Sequence, residues 1–166
     1  MIEQRTEDTA SRDGQADFDF FMGTWNVHHQ KLRERLRGST SWEEFDSVCV
    51  ARKILGGRGN MDEITMERPT GRVMGMTIRL YNPETRLWSI HWMDSVTGTV
   101  QAPMIGRFEQ GRGEFYDREV FEDKCIISRF IWTVISENAC RWEQAFSADG
   151  GKTWETNWIM DNTRRL

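Results

Sequence analysis

From Phe18 onward the chain alternates apolar and polar positions with a period of two. In Leu87–Ser95, Trp88, Ile90 and Trp92 share one face, opposite Leu87, Ser89 and His91. In Cys140–Ser147, Cys140, Trp142, Gln144 and Phe146 oppose Arg141 and Glu143. In Trp154–Asn162 the same pattern sets Trp154, Thr156, Trp158 and Met160 against Glu155, Asn157 and Asp161. A period of two places each set on one side of a sheet. Met74–Leu80 and Cys125–Ile135 are apolar on both faces, which predicts strands covered on both sides. Turn signals recur at Gly56–Asn60, Asn82–Thr85, Gln110–Gly113, Glu122–Lys124, Ser136–Asn138 and Asp149–Gly151. The stretches between them run to about 7–13 residues, the spacing of antiparallel hairpins. Only Ser41–Asp46 has helix-cap character, and the strand expected at Val48–Leu55 extends back into it.

This spacing predicts an all-β domain of about nine or ten strands. A flat sheet of that size exposes two long edges, whereas a closed antiparallel up-and-down β-barrel has none. Barrels of this size are either filled by side chains or hold one ligand. Residues 1–16 carry charges of both signs and almost no apolar anchor, so they are expected to form a disordered tail before a single domain at 17–166.

Composition narrows the function. The 166 residues hold 22 basic and 26 acidic side chains, a net charge of −4, which argues against a nucleic-acid partner. No apolar run approaches ~20 residues, so no membrane-spanning helix is expected. The N-terminus lacks a signal-peptide core, and Cys49, Cys125 and Cys140 are odd in number and without metal-site spacing. Together these point to a cytoplasmic protein with reduced thiols. Eight Trp and nine Phe against two Tyr show a demand for large apolar rings.

No catalytic or metal motif emerges. Gly151-Lys152-Thr153 lacks the earlier glycine and the strand-to-helix context of a phosphate loop. His28 and His29 are adjacent, so on a strand they face opposite sides, and His91 lies on the polar face opposite Trp88 and Trp92. If Trp25 points inward, so do Val27 and His29, which makes His29 the candidate lumen histidine. Asp117 and Glu119 share a face with Phe115 and Phe121, while Arg52 and Arg129 are candidate counter-charges in apolar strands.

Two short motifs carry resemblances. Gly23-x-Trp25 on the first strand resembles the Gly-x-Trp signature of lipocalins and their calycin relatives. That resemblance implies a Trp closing the narrow end against an Arg from a late strand, Arg164 or Arg165. Ser147–Trp154 resembles the Asp-box of sialidase-like propellers, but its single copy implies turn chemistry, not a propeller. As a set, residues 18–25, 54–63, 80–88 and 142–158 resemble an uncharacterised bacterial family of calycin-like barrels. The resemblance covers most of 18–163 and implies a lipocalin-like closed barrel; it assigns no catalytic residues.

The leading functional expectation is non-catalytic binding of a small apolar or aromatic molecule, with no cofactor and no metal. The expected lining is Trp88, Trp92, Trp142, Gln144 and Trp158, with His29 and Met76 added. One alternative is a hydrolase or isomerase using His29 with Asp117 or Glu119 in the lumen. Another is a homodimeric interaction module built on an exposed apolar patch.

Overall fold

The computed structural model of the chain describes residues 13–166. Ten strands follow one another: β1 (Gly23–Leu32), β2 (Trp42–Ile54), β3 (Gly59–Arg68), β4 (Gly71–Asn82), β5 (Leu87–Asp94), β6 (Met104–Glu109), β7 (Arg112–Phe121), β8 (Lys124–Ser136), β9 (Ala139–Ser147) and β10 (Glu155–Arg164). Each pairs antiparallel with its sequence neighbours, and β10 returns to pair with β1, closing the barrel. The expected up-and-down barrel is the observed architecture, and closure leaves no edge strand. Ser41–Asp46 belongs to β2 apart from its first residue, because Glu43, Phe45 and Ser47 alternate inward in register with the strand.

Since every strand reverses direction, the connections sort to two ends. The short ones at 55–58, 83–86, 110–111 and 137–138 lie at the end where β1 begins. The longer ones at 33–41, 95–103 and 148–154 lie at the other, beside the tight turns at 69–70 and 122–123. A 3-10 turn at Asp19–Phe21 carries the chain across the first end. Its Phe18 and Phe21 drop into the core at 1% and 2% exposure. Residues 1–12 of the expected tail lie outside the described residues. From Asp13 on, the chain is seated on the barrel, where the Gly14 carbonyl accepts a bond from Trp88 Nε1 at 3.0 Å.

One expected phase is broken. β10 carries a bulge between Thr156 and Trp158, so the face changes at Asn157. Trp158 and Met160 face inward as expected, but Trp154 stands outside, with the Arg129 guanidinium 4.1 Å above its ring. Asn157, expected outside, is fully buried.

Candidate functional site

The end crossed by the 3-10 turn is sealed. Trp25 is fully buried, donates from Nε1 to the Phe21 carbonyl at 2.8 Å, and stacks under the Arg164 guanidinium 4.3 Å from its ring. Arg164 also donates to the carbonyls of Phe20 and Met22, both at 2.6 Å, so the last strand clamps the opening turn. Gly23 makes room for that clamp. Its φ is +117°, and a Cβ there would stand 2.9 Å from Arg164 Nη1. Beneath the turn, the buried Arg79 pairs with Asp62 at 2.6 Å and with Asn60 at 3.0 Å, under the rings of Phe18, Phe21 and Trp132. Trp88 and Phe115 complete this floor at 2% and 0% exposure.

The opposite half of the lumen differs. Val73, Trp92, Phe130, Trp158 and Met160 point inward from β4, β5, β8 and β10 yet remain only partly buried. Trp92 lies flat against β4, where the Gly75 site would place a Cβ 2.0 Å from its indole. Only glycine permits that packing, which keeps the ring on the wall and out of the centre. Trp92 is held there by a bond from Nε1 to Asp94 at 3.1 Å. Trp142 meets Trp158 and Phe130 edge-on at 5.8 and 4.8 Å between centroids. Gln144 donates to Asn157 Oδ1 at 2.8 Å, tying β9 to the bulge.

His29 connects three strands. Trp158 Nε1 donates to its Nδ1 at 3.1 Å; an indole N–H is a donor only, so Nδ1 is unprotonated and the proton sits on Nε2. Nε2 then donates to Ser47 Oγ at 2.7 Å, and the ring stacks on Phe45 at 4.4 Å. Burial, helped by neighbouring His28, pushes its pKa down to about 3, so the ring is neutral. With both nitrogens committed, His29 orients Trp158; it holds no free lone pair with which to take a proton from a substrate.

The rim of this half is charged. Lys31, one inward step beyond His29, holds its Nζ 4.0 Å over the Trp158 ring. Arg35, from the 33–41 loop, lies over Phe121 and Phe146 at 5.7 and 5.5 Å. Arg68 makes two bonds to the Glu43 carboxylate, the shorter 2.9 Å, holding that carboxyl below the usual range.

Of the residues expected to line a site, Trp92, Trp142, Gln144, Trp158 and His29 converge in this half. Trp88 faces inward but belongs to the sealed floor. Met76 stands on the outer face. It pairs with Glu63 and Met93, while its neighbours Gly75 and Thr77 take the inward positions, so the doubly apolar pattern of β4 concealed its side. Asp117 and Glu119 do point inward, but Glu119 accepts from Ser128 on β8. Arg52 and Arg129 are outside. Sequence reasoning passed over Lys31, although it continues the Trp25–Val27–His29 phase by one step. It also passed over Phe130, hidden in a strand apolar on both faces, and Asn157, which only the bulge turns inward.

The Asp-box is the hairpin between β9 and β10. Asp149 accepts from the backbone of Lys152 and Thr153 at 3.1 and 2.9 Å and from Thr153 Oγ1 at 2.6 Å. These bonds draw its pKa down to about 2. Cys49 and Cys140 are buried, and Cys125 is exposed. Among the described residues no group of three or more His, Cys, Asp or Glu is arranged to hold a metal ion. None of the described helices is long and apolar enough to cross a membrane.

No known family profile matches the chain, and no curated protein does. Among solved structures, an S-type phycobiliprotein lyase, CPES, from Guillardia theta is similar with a TM-score of 0.59. The two are 10% identical, and the match covers 90% of each chain. At that identity the likeness is one of fold, a lipocalin-like, calycin-type closed barrel.

Proposed function

We propose that this barrel is a non-catalytic binding protein that takes a small aromatic molecule into the half of its lumen opposite the 3-10 turn. The observation that carries this reading is the asymmetry of the inward aromatic residues. In one half Trp25, Phe115, Phe18, Trp88 and Trp132 are buried at 0–3% exposure, with only Phe20 and Phe108 at its edge partly buried, whereas in the other Trp142 is buried at 6% and Trp92, Phe130 and Trp158 keep accessible surface. Large rings left partly in water on a concave wall are what a planar guest covers. The arrangement is also pre-organised, since Trp158 is fixed by His29 and Trp92 by Asp94 and Gly75. The similar solved barrel is named a phycobiliprotein lyase, which makes a bilin a natural member of the ligand panel.

The test is titration of the purified chain with naphthalene derivatives, flavones, biliverdin and haem, read by quenching of tryptophan fluorescence. Saturable quenching is expected from at least one, abolished by Met160→Trp, which fills the lumen, and retained in Trp154→Phe, on the outer wall. Absence of saturable binding across the panel, or binding indifferent to Met160→Trp, overturns the proposal.

A further inference from the structure

We infer that the molecule held in this lumen carries an anionic group, a carboxylate or sulfonate, seated at the mouth between Lys31 and Arg35. The inference rests on the binding role proposed above and adds the charge of the guest. It comes from an accounting of the charges around the mouth. Glu43 is paired with Arg68 and Glu122 with Arg37, while Asp94, Glu155 and Glu119 accept from the neutral donors of Trp92, Val96, Thr97, Leu36 and Ser128 and keep their charge. Lys31 and Arg35 join no ion pair among the described residues, and each instead rests over aromatic rings of the inner wall.

Two partly desolvated cations that make no direct ion pair, with Glu43 and Asp94 acting on one and Glu119, Glu155 and Glu122 on the other only from a distance, gain from an anion that contacts both. An aromatic anion fits both halves of the arrangement, its ring among Trp142, Trp158 and Phe130 and its charge between the two cations. A third observation agrees. Asn157, fully buried beside Gln144, has an Nδ2 donor with no protein acceptor. The chain also spends its basic residues almost wholly as arginine; Lys31 is one of four lysines, with Lys53, Lys124 and Lys152.

The charge state of Lys31 supplies a second signature. Burial first, then Arg35 and Arg68, push its pKa down to about 7, against the opposing pull of Glu43 and Asp94, while His29 on the same strand is neutral. Near pH 7 the amine is therefore about half protonated in the free protein. An anion at the mouth raises its pKa, so binding takes up a proton, and affinity falls as pH rises above 7.

The experiment compares naphthalene-2-carboxylate with its uncharged amide by isothermal titration calorimetry at pH 6, 7 and 8, in buffers of different ionisation enthalpy. The carboxylate is expected to bind at least tenfold more tightly than the amide at pH 6, with about half a proton taken up at pH 7. Lys31→Met and Arg35→Met should each remove most of that preference, read within each variant as the ratio of carboxylate to amide affinity. Lys31→Arg, which cannot lose its charge in this range, should keep the preference and lose the proton uptake. Equal affinity for carboxylate and amide, or a preference indifferent to Lys31→Met and Arg35→Met, overturns the inference and leaves the lumen reading standing. Failure of both probes to bind, or amide binding that survives Met160→Trp, overturns the two together.

Discussion

His29 makes the barrel acid-sensitive in a calculable way. In the unfolded chain its imidazole titrates near 6.5, whereas in the barrel it stays neutral down to about 3. Between those values the unfolded state binds a proton that the folded state refuses, so this group's contribution is fully present above pH 6.5 and is lost as pH falls toward 3. At pH 5 the unfolded imidazole is protonated roughly thirtyfold over neutral, worth about 2 kcal/mol relative to pH 7. That is a sizeable share of a stability of about 5–15 kcal/mol. The geometry gives the refusal its cause. A proton on Nδ1 would face the Trp158 N–H, donor against donor, inside the aromatic wall. His29→Gln provides the reference, because a glutamine amide can accept from Trp158 and donate to Ser47 without titrating. Urea unfolding at pH 7 and pH 5, followed by tryptophan fluorescence, should show the native chain losing about 2 kcal/mol more than His29→Gln. His28, whose pKa is raised by its bond to Asp46, works in the opposite sense but is common to both proteins. Equal losses in the two would refute the assigned tautomer and burial.

Two further outcomes concern the sealed end. Gly23→Ala forces a side chain into a left-handed backbone position against Arg164, and should cost about 1–3 kcal/mol, seen as a lowered Tm. In the Arg79–Asp62 pair, Arg79→Met alone strands a buried carboxylate and should destabilise by about 3–5 kcal/mol. Adding Asp62→Leu should recover much of that loss in a denaturant titration; a double variant no better than the single would show that the pair is not the controlling contact.

The strands, the hairpins and the closed barrel were legible because alternation and turn chemistry are local properties. Trp25 as plug was legible too, and the structure selects Arg164 over Arg165 as its partner, the latter bonding Asn26 outside. Where alternation was clean, as in β5 and β9, inward residues were assigned correctly. Met76 illustrates the limit: with apolar residues on both faces of β4, parity comes only from the neighbouring strands. Trp154 illustrates another, since a one-residue bulge reverses parity without leaving a mark in composition. The rim charges were illegible for a third reason. Whether a lysine is paired depends on carboxylates from β2 and β5, which act on it together only once the barrel closes.

Closure by β10 against β1 also governs when the barrel can exist during synthesis. The strand that completes it is made after the other nine, and it carries Arg164, which fastens the opening turn. Until that strand leaves the ribosome, β1 and β9 remain unpaired edges, open to association with other chains. A nascent chain of this design gains its protection late and all at once. Loss of β10 is therefore expected to send it toward aggregation, not toward a slightly smaller barrel.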